Sequence, residues 1–164
     1  MLYHASKERG LLLLEPRVSS HSRAYVYAIH NKITAVCFGA PKDDFDLLMD
    51  EVEGVPHLYE CYPHAVELVY NKKSCSLYEV SEEGFASGKT GWDAELVSEK
   101  AVPVTKEEHI EDIYLYLITA SEQGKCVIHT YSDDPEYQSM LREELGARIK
   151  DFGLDEAEVK KDRD

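Results

Sequence analysis

The chain is predicted to fold as one α+β domain over residues 1–164, with a strand-rich core in residues 1–104 and C-terminal helices in residues 105–152. Short runs such as residues 24–29 (AYVYAI) combine aromatic and β-branched residues with alternation, which is typical of strands. Beyond residue 105, apolar residues recur at helical spacing instead. A length of 164 residues suits a single domain with an ordinary core.

The charge balance limits the partners that this chain can bind. It has 18 Lys and Arg residues against 32 Asp and Glu residues, a formal net charge of -14. Because a phosphate backbone is bound by clustered basic side chains, nucleic acid is an unfavourable partner. The balance favours solubility and a cationic or small-molecule partner.

The sequence also predicts where the protein resides. No apolar run approaches the length of about 18 residues that a membrane span needs, and the N-terminus MLYHASKERG lacks a secretion signal. We therefore expect a cytoplasmic protein that does not enter a membrane. Its four scattered cysteines form no CxxC motif and are expected to be free thiols: Cys37, Cys61, Cys75 and Cys126.

In the first third, a short strand is predicted in MLYHAS (1–6), ending between His4 and Ser6, and a second strand over residues 24–29. Asn31 is a suitable N-cap for a helix over residues 31–40, which would place Ile33, Val36, Cys37 and Ala40 on one face. A second helix is predicted over residues 42–54, with Phe45, Leu48 and Met49 inward and Gly54 as its stop.

The middle of the chain is predicted to be rich in strands. Three strands are expected, HLYECY (57–62), AVELVY (65–70) and SCSLYEV (74–80), with NKKS as a hairpin turn between the last two. Residues 81–93 read as a loop because they are polar and contain three glycines, and residues 94–104 as a further strand region.

The C-terminal third is predicted to be helical. Thr105 and Glu108 form a capping-box pattern at the start of a helix over residues 106–123. A short apolar run at residues 126–131 precedes a last helix over residues 135–152, and the charged residues 155–164 are expected to fray.

Two motifs that suggest ligand chemistry are rejected. GFASGKTG (84–91) has one residue too few between Gly84 and Gly88 for a phosphate-binding loop, and no buried strand leads into it. His57, Cys61 and His64 contain metal-ligating atoms, but His64 would lie on the opposite face of a strand from the other two. We expect no metal.

Three short segments resemble the elements of the ADP-ribosyltransferase fold, in its diphtheria-toxin-like and poly(ADP-ribose) polymerase branch. LYHAS (2–6) is similar to the L-W-H-G-S and Y-H-G-T elements of that branch. VYAIHNKITAVCF (26–38) is similar to its second element, with Tyr27 ending a strand, Ala35 in the helix and Phe38 as the second aromatic. DAELVSE (93–99) resembles its glutamate element and points to Glu95.

The resemblance implies a compact mixed β core of ADP-ribosyltransferase type and an activity with NAD as substrate, either transfer of ADP-ribose to an acceptor or hydrolysis as in an NAD glycohydrolase. Tyr27 and Phe38 would hold the nicotinamide ring between two aromatic faces. Glu95 would bind the nicotinamide ribose and stabilise the positive charge that develops as nicotinamide leaves. The implied catalytic set is therefore Glu95, His4 and Tyr27.

The same resemblance implies the remaining NAD contacts. The backbone of Ala5 would bind the carboxamide, His4 would hold the adenosine-side ribose, and Ser6 completes this element. Ala5 stands where the family usually has glycine, which is compatible with a contact through the backbone alone. Arg17 is a candidate pyrophosphate clamp, because a guanidinium group matches phosphate oxygens bidentately.

Alternatives remain open. Glu79, Glu82 and Glu83 compete with Glu95 for the glutamate position. The chain could also be a module of the same fold that binds a nucleotide without catalysis. A third hypothesis is an interaction protein, in which the 11 tyrosines belong to core and interface and an acceptor or partner protein docks on the C-terminal helices.

Overall fold

The computed structural model describes residues 1–18 and 23–152 and has a mixed α+β architecture. The strands within these residues are β1 (Leu2–Ser6), β2 (Leu13–Leu14), β3 (Arg17–Val18), β4 (Ala24–Ile29), β5 (Leu47–Val52), β6 (Val55–Glu60), β7 (Cys75–Val80), β8 (Glu95–Ser98), β9 (Val102–Ile110) and β10 (Val127–His129). The helices are α1 (Lys32–Val36), α2 (Ala65–Tyr70), α3 (Ile113–Glu122) and α4 (Pro135–Phe152). The α+β class predicted from the sequence is confirmed.

The strands form two sheets. The main sheet has the order β2-β9-β7-β1-β4-β3, and β8 also pairs with β4. Its neighbouring strands are antiparallel. The smaller sheet has the order β10-β6-β5, and its β10–β6 pair is parallel. Strands that are far apart in sequence therefore become neighbours in the main sheet.

The register places one row of residues across the centre of the main sheet. Tyr3 of β1 is opposite Ile29 of β4, and Ile29 is opposite Glu95 of β8. Because directly opposed residues point to the same face, these three side chains share a face. Two strand spacings separate the Cα atoms of Tyr3 and Glu95 by about 10 Å.

Alternation along the strands divides the core between the two faces of the main sheet. One face carries Ile29, Leu77 and Ile110 and packs on the helices through buried residues such as Val36 and Leu117. The other face has its own buried cluster: Leu2, Leu14, Val26, Ala28, Tyr78, Val80 and Val102. Both faces of the main sheet thus carry buried apolar residues.

Several predicted elements are confirmed in place. β1 lies within the predicted segment and ends at Ser6, β4 has the predicted bounds, and α4 covers the predicted residues 135–152. Asn31 caps α1 as expected, its Oδ1 accepting from Ile33 N at 3.0 Å and Thr34 N at 3.1 Å. The helix ends at Val36, earlier than predicted. The predicted frayed tail, residues 155–164, lies outside the described residues.

The helix predicted over residues 42–54 is wrong, because this segment contains β5 and the turn into β6. Glu53 and Gly54 both have positive φ, 51° and 81°, the conformation of a two-residue hairpin turn that matches the twist of its strands. Leu47 and Leu48 are both buried, in different clusters. A strand covered on both faces has consecutive apolar residues, and this removed the alternation that would have identified it.

The strand predicted over residues 65–70 is also wrong, because these residues form α2. Ala65, Val66, Val69 and Tyr70 are buried, a spacing that suits one face of a helix. The carboxylate of Glu60 accepts from Val66 N at 2.8 Å and thereby satisfies a donor in the first turn. The segment NKKS therefore links α2 to β7 and is not a hairpin.

The capping box predicted at Thr105 and Glu108 is wrong as well. Both residues belong to β9, which pairs along β7 as far as Ile110 opposite Cys75. The helix begins later, at Ile113, and its N-cap is Asp112, which accepts from Leu115 N at 3.2 Å. Pairing with a buried strand outweighed local helix propensity here. None of the helices in the described residues is long and apolar enough to cross a membrane.

Candidate functional site

The structure brings three predicted site residues onto adjacent strands. His4 lies on β1, Tyr27 on β4 and Glu95 at the start of β8. β4 lies between the other two strands, since it pairs with β1 through Ile29 and with β8 along residues 26–29. All three side chains are partly buried.

Tyr27 and Glu95 share a face of the sheet. Tyr27 is opposite Val97, and Glu95 is two residues before Val97, so the two side chains are diagonal neighbours on adjacent strands. Such pairs lie within reach of long or aromatic side chains. The ring of Tyr27 makes an edge contact with that of Tyr25, with centroids 5.8 Å apart and planes at 88°.

By alternation from Tyr3, His4 points to the opposite face of the sheet from Tyr27 and Glu95. It contacts β4 through the backbone. Its Nδ1 lies 2.7 Å from the carbonyl oxygen of Tyr27. A carbonyl only accepts, so Nδ1 carries the proton and Nε2 keeps its lone pair. Burial lowers the pKa of His4, and the positive charge of Arg17 lowers it further, against the opposing effect of the hydrogen bond to Tyr27. His4 is therefore neutral near pH 7.

Ala5 and Ser6 follow His4 where β1 and β4 separate. Within the described residues, the register between these strands consists of Tyr3 and Ile29, whereas the pairing of β1 with β7 continues to Ser6. The imidazole of His4 bridges to β4 beyond that last pair. The β4-facing side of β1 at Ala5 is thus not occupied by a paired strand, which is the kind of position where a ligand can contact the backbone.

Arg17 lies near His4 but already has a partner. It is on β3, opposite Tyr25 of β4. Its Nη2 is 3.2 Å from Oε2 of Glu8, and both side chains are largely exposed. An exposed ion pair of this kind contributes little and exchanges easily. Arg17 could therefore turn to a phosphate group without large cost.

Phe38 lies beyond the end of α1 and is 41% exposed. Its ring contacts Trp92, with centroids 5.6 Å apart and planes at 47°, and Nζ of Lys42 lies 4.8 Å from its centroid. The carbonyl of Trp92 accepts from Glu95 N at 3.1 Å. Phe38 is thereby connected through Trp92 to the strand end that carries Glu95.

Sequence reasoning missed Trp92 and Lys42. Trp92 is the single tryptophan of the chain and lies in the glycine-containing loop just before Glu95. That combination was the signal that could have identified it. Lys42 could not have been found from the sequence, because its contact with Phe38 depends on how the chain turns after α1.

The competing glutamates are placed elsewhere. Glu79 is on β7, opposite Tyr3 and on the far side of β1 from β4. Glu82 forms an ion pair with His30, at 2.9 Å between Oε1 and Nδ1. Glu83 lies in the loop after β7 and is exposed. Of the four, Glu95 is the one on a strand next to Tyr27.

The histidine and cysteine residues rejected as metal ligands are also separated. His57 contacts His129 of β10, Cys61 is buried, and His64 is exposed with a positive φ of 62°. In the part of the chain that the structure describes, no three His, Cys, Asp or Glu side chains form a group that could hold a metal ion.

A separate groove of about 980 Å³ lies between the N-terminus of α1, the β5–β6 turn, the end of β9 and α3. Lys32 and Glu108 form an ion pair in it, with Nζ and Oε1 3.1 Å apart. Tyr3, Tyr116 and the 59% exposed Leu115 contribute ring and apolar surface. His4, Tyr27, Phe38 and Glu95 are not among its lining residues.

No protein-family model matches the chain, and no curated protein or solved structure matches it significantly.

Proposed function

We propose that the protein binds NAD and cleaves the bond between nicotinamide and ribose, transferring ADP-ribose to an acceptor. The observation that carries the proposal is the strand order β1-β4-β8, which brings His4, Tyr27 and Glu95 onto neighbouring strands. These residues come from three separate sequence segments. Tyr27 and Glu95 share one face of the sheet, and His4 contacts the backbone carbonyl of Tyr27 from the neighbouring strand.

The nicotinamide ring would bind between Tyr27 and Phe38. Stacking on aromatic side chains contributes about 1 kcal/mol beyond the burial of area. Trp92, which contacts Phe38 and accepts a hydrogen bond from Glu95 N, would lie beside the bound ring. The backbone of Ala5 and Ser6, where β1 separates from β4, would bind the carboxamide.

Glu95 would act on the ribose. When the C–N glycosidic bond breaks, its electron pair leaves with nicotinamide, and positive charge develops on the ribose carbon and ring oxygen. A carboxylate beside that charge lowers the barrier electrostatically. The acceptor oxygen or nitrogen then bonds to the ribose carbon and loses its proton to solvent.

His4 and Arg17 would bind the adenosine half. With Nδ1 donating to the carbonyl of Tyr27, Nε2 of His4 can accept a hydrogen bond from a ribose hydroxyl. Arg17, close enough to lower the pKa of His4, would exchange Glu8 for the pyrophosphate. The carboxylate of Glu95 is on a different strand, β8, which also pairs with β4.

Release of nicotinamide from NAD tests the catalytic assignment. Glu95→Gln keeps the shape of the side chain but removes its charge, so we expect release to fall by about a hundredfold or more while binding of NAD persists. Glu79→Gln, on the far side of β1, is the matched control and should retain activity. Equal activity in wild type and Glu95→Gln would contradict the proposal.

The groove between α1 and α3 supports a second candidate function, recognition of a protein partner. Three carboxylates and two lysines line it together with the exposed Leu115, which leaves an excess of one negative charge: Glu108, Glu111, Asp112, Lys32 and Lys125. The chain has a net charge of -14. This combination suits a basic segment with apolar side chains. Fluorescence anisotropy with a Lys- and Leu-containing peptide would test it, with Leu115→Ser expected to weaken binding and Leu68→Ser, an exposed position on α2, as control.

A further inference from the structure

The smaller sheet carries a histidine pair that the proposed function does not use. Nδ1 of His57 on β6 is 2.9 Å from Nε2 of His129 on β10. The ring planes are 24° apart and the centroids 5.1 Å apart, so with nitrogens this close the rings meet edge to edge. Two imidazoles so arranged share one hydrogen bond, which needs one N–H donor and one unprotonated acceptor.

The pair lies where the C-terminal segment joins the rest of the protein. β10 pairs in parallel with β6, and the ring of His129 lies over that of Tyr59 on β6, with centroids 4.2 Å apart and planes 4° apart. α4 follows β10 and is attached through Tyr137, whose hydroxyl is 2.7 Å from the carbonyl of Glu60 and 3.3 Å from that of His129. β10 and the start of α4 thus contact the last residues of β6, and further along α4 Leu141 packs with Leu48 of β5.

We propose that the His57–His129 pair is a proton-sensitive latch, which holds β10 and α4 on β6 near neutral pH and releases them in mildly acidic solution. One proton is tolerated, because an imidazolium still donates to a neutral imidazole. A second proton removes the acceptor and places two cations in contact.

The neighbouring groups do not offset a second proton. Asp50 of β5 is directly opposite His57 and exposed, so it can balance one positive charge. Tyr59 is uncharged, and burial raises the pKa of Tyr137 to about 12, so it is also neutral. The carboxylate of Glu60, on the other face of β6 by alternation, is already bonded to Val66 N and Tyr131 N.

The direction of the pH effect follows from the folded and unfolded states. Burial lowers the pKa of His129, and His57 lowers it further. A histidine with a lowered pKa binds its proton less readily in the folded state than in the unfolded state. The attachment is therefore fully present above the ordinary histidine pKa of about 6.5 and is lost as the pH falls below it.

Hydrogen exchange measured by mass spectrometry tests the latch in the full-length protein, at neutral pH and at about pH 5, with times corrected for intrinsic exchange. In the wild type we expect peptides of residues 125–150 to lose protection at least tenfold at the lower pH, while peptides of β1 and β7 keep theirs. His57→Gln should keep protection at both pH values, because an amide donates and accepts without titrating. His64→Asn, at an exposed left-handed position, should behave as the wild type.

Three outcomes would overturn the latch: no change in the wild type, an equal loss in His57→Gln, or simultaneous loss in both parts of the protein. If His57→Gln does not fold, histidine NMR titration of the wild type decides. Two well-separated steps for His57 and His129 support the latch, because coupled sites titrate in this way. Independent titration near the ordinary value contradicts it.

Discussion

Gly39 is the position at which one additional methyl group meets the tightest packing. A Cβ there would lie 2.5 Å from Sγ and 2.7 Å from Cβ of Cys75. We expect Gly39→Ala to lower the free energy of unfolding by about 1–3 kcal/mol, because a well-packed core resists added volume. Gly91→Ala, with nothing within 4 Å of the added atom, is the control in urea denaturation. Equal stability of the two variants would show that the α1–β7 contact is looser than described.

The buried thiols are expected to be unreactive in the native state. Burial raises the pKa of Cys37 to about 12 and that of Cys75 to about 11. The thiolate is the reacting species, so its small fraction near pH 8 and its burial both slow the reaction. A disulfide reagent such as DTNB should modify these two cysteines only after unfolding. Rapid labelling of either one in the folded protein would contradict their assignment to the core.

At the residue scale, the sequence selects candidate positions but does not show which residues contact them. His4, Tyr27 and Glu95 were selected from short segments, and the sheet brings those segments together. The contacts of Phe38 with Trp92 and Lys42 could not be predicted. They join a helix end to a distant loop, and no local pattern records such a contact.

Substitutions in the turn between β5 and β6 test whether residues 47–60 form a hairpin and not a helix. Gly54 has φ 81° with open space around it, so Gly54→Ala is expected to lower stability by about 1 kcal/mol through backbone strain alone. Glu53 has φ 51°, so Glu53→Asn is expected to leave stability unchanged or raise it, because Asn tolerates the left-handed region. Thermal unfolding of the two variants measures both effects. A helix at this position would give the opposite order, since Ala favours helices over Gly and Asn does not.

At the element scale, prediction failed where burial on several sides removed the periodic pattern. Leu47 and Leu48 of β5 are both buried and imitate part of a helical face. Val and Tyr favour strands, so residues 65–70 resemble a strand in sequence. They form α2, and the carboxylate of Glu60 accepts from Val66 N in its first turn. Elements with a clear local signal were predicted better: β4 has its predicted bounds, and Asn31 caps α1 as predicted, although that helix is shorter.

At the scale of the whole molecule, the α+β class was predictable and the topology was not. The class follows from counting runs of each periodicity. The order β9-β7-β1-β4, with β8 on β4, depends on pairing between segments that are far apart in the chain. Local patterns carry no information about which strands become neighbours. The candidate site depends on this order, since β4 must lie between β1 and β8.

Thermal unfolding in the presence of NAD, for the wild type and for Tyr27→Ala, tests directly whether the protein binds NAD at Tyr27. A ligand at a hundredfold excess over its dissociation constant stabilises the folded state by about 2.7 kcal/mol. For a chain of this size that raises the unfolding temperature by roughly 5–10 °C. We expect this shift in the wild type and in the control Tyr114→Ala, on α3, and its loss in Tyr27→Ala. No shift of the wild type at millimolar NAD, or an undiminished shift in Tyr27→Ala, would contradict this expectation.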